Sequence, residues 1–303
     1  MLAEPNLNGG WIMVRGRDHR RPSGTTVWGV LVLILLAGAG AAHGQVITSW
    51  SAPNAYHVAV GPGDVVYAGS GYLQRYTADG VLIPEGWNPQ WGQPVHGVTV
   101  ASDGRVWQAE DRAARVYTGD GSAEVGGWTV TDWTGHFEEF TGGIAVSSGR
   151  VSLLVNDLDK TRIEVRTEAS APITTFFCIG GTGLAADAAG NLYVASDRIA
   201  EYSSDGALLR TIGVGQIGQA NGVAVDAQGR IYVADSGHQQ IQVYEADGTL
   251  ITTFATATPP LSIALDSAGS VYVADGDRVT KYAASAPTRA STATWGALKA
   301  EYR

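Results

Sequence analysis

Apolar and polar residues alternate along short runs such as Arg230–Asp235, "RIYVAD", and Ile241–Gly248, "IQVYEADG". A period of two predicts half-buried strands, because successive side chains of a strand point to opposite faces. Turn-forming residues separate the runs, and no long stretch carries a helical period. Aligned, the runs form a repeat. Its anchor is the core of the first strand: Val58–Val60, Val98–Val100, Ile144–Val146, Leu184–Ala186, Val223–Val225 and Ile263–Leu265. The spacings are 40, 46, 40, 39 and 40 residues. Six copies near a period of 40 predict an all-β fold, a six-bladed β-propeller of four-stranded blades.

The clearest copy, Asn221–Phe254, shows what each position does. Gly222 permits a tight approach just before the first strand. Asp247–Gly248 makes a hairpin turn. Asp-Gly recurs at Asp79–Gly80, Asp120–Gly121 and Asp205–Gly206, and the third copy lacks it. Asp187, Asp226 and Asp266 follow the first strand and recur by blade, which points to bonding of the hairpin backbone. Tyr67, Tyr193, Tyr232 and Tyr272 recur in the second strand and read as blade packing. The sixth copy ends at Tyr282 after three strands, with no Asp-Gly turn. Gln45–Trp50, "QVITSW", has the look of a fourth strand without its blade. Pairing it into the last blade closes the ring and covers a sheet edge, with Val46, Ile47 and Trp50 expected to be buried.

Gly-Val-Ala-Val-Asp at 222–226, Gly-Arg-Ile-Tyr-Val-Ala-Asp at 229–235, Ile-Gln-Val-Tyr at 241–244 and Asp-Gly at 247–248 resemble the NHL repeat family. The resemblance spans residues 45–282, is close in the fifth copy and is weak in the third. It implies the propeller fold. It implies little about function, since that architecture hosts sensors, scaffolds and a few enzymes.

Composition agrees with a strand-rich fold. The chain has 303 residues, 45% hydrophobic and 16% charged, with 40 glycines. Residues 1–44 read as a leader, not as fold. Arg15, Arg17, Arg20 and Arg21 are basic, Val27–Ala37 is an apolar run of 11, and small residues follow. A bilayer-spanning helix needs about 20 apolar residues, so the order predicts a cleaved secretory signal. An anchor kept uncleaved is the alternative. Without the leader, 16 basic residues face 27 acidic ones. Such an acidic exported domain is expected to avoid nucleic acid and, after cleavage, the membrane surface. It is expected to be a monomer. Cys178 is alone and reads as a small apolar group in a strand. Residues 283–303 read as a linker and a tail, where Trp295, Leu298 and Tyr302 fit a short helix capped by Thr294 or a frayed terminus.

No nucleophile elbow, phosphate loop, zinc-ribbon spacing or haem motif occurs. The chemistry-bearing residues collect instead on one predicted face. In a four-stranded blade, the loop entering strand 1 and the loop between strands 2 and 3 share that face. It carries Tyr56, His57, His96, Asn221 and His238, and the insertion near residues 129–143 adds Trp133 and His136. Two residues before each anchor the copies read Tyr56, His96, Gly142, Thr182, Asn221 and Leu261. A position so free to differ suits a composite binding site. The expectation is a binding or scaffold module for a protein, peptide or glycan, with no cofactor. The alternative is a lyase or hydrolase with a divalent metal at the same face, because imidazole is a common ligand for Zn, Cu and Ni. The resemblance adds two models for it. Peptidyl-hydroxyglycine lyases of this fold hold a metal with His, but they carry disulfides. Lactonases related to gluconolactonase use acids and Asn around the channel, and Asn221 matches loosely.

Overall fold

The computed structural model describes residues 44–84, 94–130, 140–156 and 160–283, apart from the side chains of Phe140 and Thr141. It also describes the backbone of an antiparallel pair, Leu2–Pro5 with Trp11–Val14. The apolar run of the leader, the insertion carrying Trp133 and His136, and the tail lie outside the described residues.

Residues 44–283 form six antiparallel four-stranded sheets. Blade one is His57–Val60, Val66–Gly69, Leu73–Tyr76 and Leu82–Ile83; blade two is Val95–Val100, Val106–Glu110, Ala113–Tyr117 and Glu124–Thr129. Blade three is Phe140–Ser147, Arg150–Asn156, Arg162–Thr167 and Pro172–Phe177; blade four is Gly183–Ala186, Leu192–Ala195, Ile199–Tyr202 and Leu208–Ile212. Blade five is Ala220–Val225, Ile231–Asp235, Gln240–Tyr244 and Leu250–Ala255. Blade six is Ser262–Leu265, Val271–Ala274 and Gly276–Tyr282, and its fourth strand is Val46–Ala55, paired antiparallel with Gly276–Tyr282. Among the described residues no helix is long and apolar enough to cross a membrane.

The core lies between blades, not within them. Each blade-to-blade interface holds one apolar cluster: Tyr67 and Val106 between blades one and two, Trp107 and Leu153 between two and three, Leu154 and Val194 between three and four. Tyr193 and Ile231 follow between four and five, Tyr232 and Val273 between five and six, Val66 and Tyr272 between six and one. A second-strand Tyr takes part in four of them. Tyr193, Tyr232 and Tyr272 donate their hydroxyls to Asp187, Asp226 and Asp266 at 3.2, 3.3 and 3.2 Å. The same carboxylates accept backbone N–H groups of the hairpin: Asn191 at 2.8 Å, Arg230 at 2.8 Å and Ser270 at 2.7 Å. The recurrent Asp is a turn clamp.

Outer strands are joined by aromatic pairs. A fourth-strand ring of one blade meets a third-strand Tyr of the next: Trp50 with Tyr76 at 5.8 Å, Phe176 with Tyr202 at 5.7 Å, Phe254 with Tyr282 at 5.2 Å between centroids. The turn glycine of the next blade lies under that ring. A Cβ on Gly80 would come within 2.5 Å of the Trp50 indole, and one on Gly206 would strike Phe176. Gly44, at φ +80°, holds the equivalent place against Phe254. Blade six thus obtains its turn glycine from the segment before its fourth strand. In blade three, Ser170 at φ 66° stands in the turn.

One burial expectation needs correction. Val46 and Ile47 are about half exposed. Trp50 is partly buried, and the sealed residues of that strand are Ala52 and Ala55. The strand is the rim of its blade, so its turn-proximal end faces solvent and only its later residues meet blade one.

Candidate functional site

The first strand of every blade lines the axis. At one end the six strands enclose a funnel of about 310 Å³, and at the other a smaller chamber of about 200 Å³. Val58, Val98, Ile144, Leu184, Val223 and Ile263 line both. These six repeat anchors form an aliphatic collar that divides the channel.

The funnel rim is built from the position two residues before each anchor. Tyr56, His96, Gly142, Thr182, Asn221 and Leu261 all line it. Tyr56 is half exposed there, with its ring available as a contact surface. Between rim and collar, blades two to five carry Gly97, Gly143, Gly183 and Gly222. These glycines are required by proximity. A Cβ on Gly97 would sit 2.9 Å from the Gly142 carbonyl oxygen, and one on Gly183 would sit 2.9 Å from that of Asn221. The blades therefore meet backbone to backbone around the neck. Blades six and one depart from this pattern with Ser262 and His57. Ser262 Oγ accepts the Val58 N–H at 3.2 Å and ties the two blades together.

His57 is largely buried. Burial, and next the adjacent His96, push its pKa down to about 4, against a hydrogen bond to the Val95 backbone that works the other way. It is a neutral imidazole at physiological pH. His96 Nε2 lies 2.7 Å from Asp111 Oδ1, which reaches in from the loop between the second and third strands of blade two. The mouth therefore holds His57 and His96, and Asp111 meets His96 from outside the funnel lining. Asp111 was not singled out in the sequence. Its signal was available, because its loop belongs to the same face by topology.

Four of the seven candidate residues, Tyr56, His57, His96 and Asn221, converge on the funnel. Trp133 and His136 lie outside the described residues. His238 is not part of the funnel lining. Its Nδ1 is 2.7 Å from Asp235 Oδ2, and its ring is half exposed. Asp235 is fully buried and accepts from Gly218 N–H and Gln219 N–H at 3.1 Å and from Gln242 Nε2 at 2.8 Å. Burial pushes its carboxyl up, but bonds from Gln219, His238 and Gln240 outweigh it and hold the pKa below the usual range. His238 helps to satisfy a buried carboxylate, which is a structural task. Among the described residues no three His, Cys, Asp or Glu side chains form a group able to hold an ion. Burial pushes the Cys178 thiol up to about 12, the opposite of what a nucleophile needs.

A family model described as NHL repeat matches residues 218–244, in blade five. No curated protein matches the sequence. Solved structures that share the fold include two of low identity. One is a protein of unknown function from Bacteroides caccae, 13% identical, with a TM-score of 0.56, covering 69% of this chain and 81% of its own. The other is a streptogramin B lyase, 16% identical, with a TM-score of 0.54, covering 75% of this chain and 78% of its own. At such identities the likeness is one of fold. The chain is a six-bladed β-propeller that carries an NHL repeat.

Proposed function

We propose that this propeller is an exported, monomeric binding module, and that its partner, a protein, peptide or glycan, engages the axial funnel. One observation carries the reading. A position that differs in all six copies, from Tyr56 to Leu261, supplies the whole rim of one concave cavity. The second-strand position that packs the blades is Tyr in four of the six copies, Tyr67, Tyr193, Tyr232 and Tyr272, and all four are buried. A cavity near 300 Å³ with a few convergent polar groups falls within the range of ligand sites. Export rests on the leader's basic, apolar and small-residue order.

Peptide and glycan arrays probed with the mature chain test the reading. Tyr56→Ala and Asn221→Ala should each weaken the selected ligand at least tenfold and leave thermal unfolding unchanged. Normal binding by both variants, with loss on changing Asp120 or Asp205 at the opposite face, would overturn it.

A second reading, a metal-dependent lyase or hydrolase, draws on His57 beside His96 and on the Asp111 partner. The described residues offer two imidazoles there and no third ligand. Elemental analysis of protein purified without chelator separates the readings: a stoichiometric divalent metal lost in His57→Ala favours the enzyme.

A further inference from the structure

We infer that the funnel takes an uncharged amphipathic small molecule or chain end, with amide, ester or hydroxyl groups at the rim and an aliphatic or aromatic group in the collar. This deepens the binding reading and rests on it.

Charge is the first argument. Among the described residues, the funnel lining contains no Asp, Glu, Lys or Arg. Of the two imidazoles in the lining, His57 is held neutral by burial and by His96, and His96 is already paired with Asp111 at 2.7 Å. A carboxylate, phosphate or ammonium placed at the collar would lose its water without gaining a counter-ion, so charged ligands are disfavoured.

The collar is the second argument. Six aliphatic side chains surround the floor, and four of them, Val58, Ile144, Val223 and Ile263, are at most 6% exposed. Apolar surface reaching this depth leaves water for a hydrocarbon wall.

The backbone is the third. Each first strand pairs only with its second strand, so its other edge faces the axis. Edge strands present alternating N–H and C=O groups. Some are used between blades, as by Ser262 Oγ with Val58 N–H and Thr182 Oγ1 with the Asn221 carbonyl at 3.2 Å. Glycine-lined walls bring the others close to a ligand. Neutral donors and acceptors such as amides match a wall of amides, and Tyr56, His57 and Asn221 add side-chain partners of the same kind.

The test uses matched sets of probes on the mature chain. One set is N-acetyl-phenylalanine amide, its carboxylate N-acetyl-phenylalanine, its ammonium phenylalanine amide, and N-acetylglucosamine as an apolar-poor control. A leucine set accompanies it. Dissociation constants come from ligand-observed NMR titrations. The neutral amides should bind at least tenfold tighter than either charged relative and than the sugar. Val98→Thr, which puts a hydroxyl in the collar without changing shape, should weaken the amides at least threefold. Asn221→Asp should raise the standing of the ammonium probes. Charged probes binding as well as the amides, a preference for the sugar, or silence of the whole panel would each overturn the inference. The site reading fails separately: if probes bind but Tyr56→Ala and Asn221→Asp change nothing, they are not in the funnel.

Discussion

Gly80 and Gly104 both adopt left-handed backbone, at φ +85° and +87°, but meet different surroundings. A Cβ on Gly104 would meet nothing within 4 Å, whereas one on Gly80 would come within 2.5 Å of Trp50. Gly104→Ala therefore costs backbone strain alone, about 1–2 kcal/mol. Gly80→Ala costs the same strain and also displaces an indole packed 5.8 Å from Tyr76 of blade one and 6.3 Å from Tyr272 of blade six. Overpacking of this kind adds about 1–3 kcal/mol. The expected totals are about 1–2 kcal/mol for Gly104→Ala and about 2–5 for Gly80→Ala, at roughly 2–4 °C of melting temperature per kcal/mol for a domain of this size. Urea unfolding followed by far-UV circular dichroism measures both. A third variant completes the cycle. In a Trp50→Ala background the obstacle is gone, so the cost of Gly80→Ala should fall to that of Gly104→Ala. Equal costs in the wild-type background, or no relief from Trp50→Ala, would refute the claim that this ring wedges blade six against blade one.

Acid should weaken the fold through His57. Its folded pKa of about 4 lies below the ordinary 6.5, so between those values the unfolded chain binds a proton that the folded chain refuses. Stability should fall by roughly 2–3 kcal/mol as pH drops from about 6.5 to 4, and His57→Asn should flatten that part of the profile in pH-dependent urea titrations. Asp235→Asn should cost about 2–3 kcal/mol, because it replaces a buried carboxylate that several donors address; a loss under 0.5 kcal/mol in the same assay would contradict the hub role. N-terminal sequencing of exported protein should begin between Ala42 and Val46, and recovery of the intact chain from the cytoplasm would count against export.

The fold was legible because its physics is local and repeated. Alternation reports strands, and Asp-Gly reports hairpins. Six anchors at one period report blades, and those anchors became the collar. The missing strand at Tyr282 and the surplus at Gln45 were visible as a mismatch of counts. Burial of Val46 and Ile47 was misjudged, because hydrophobicity does not reveal that a strand lies on the rim. At the site, comparison between copies found Tyr56, His96 and Asn221, since freedom to vary leaves a trace in sequence. His238 shared their face but not their radius: its loop starts from the second strand, one step out from the axis, where a buried carboxylate takes its ring. His57 stood at a register that is glycine in four blades. Its depressed pKa depends on packing across blades, and no single repeat contains that information.

The central claim is that the ligand sits on the axis. A crystal structure of the mature chain with the tightest ligand from the arrays tests it most directly. The account predicts density in the funnel, with the ligand against Tyr56 and Asn221 and its deepest atoms level with Val98 and Ile144. Ligand ordered instead beside Asp120 and Asp205 at the opposite face, with only water on the axis, would contradict it.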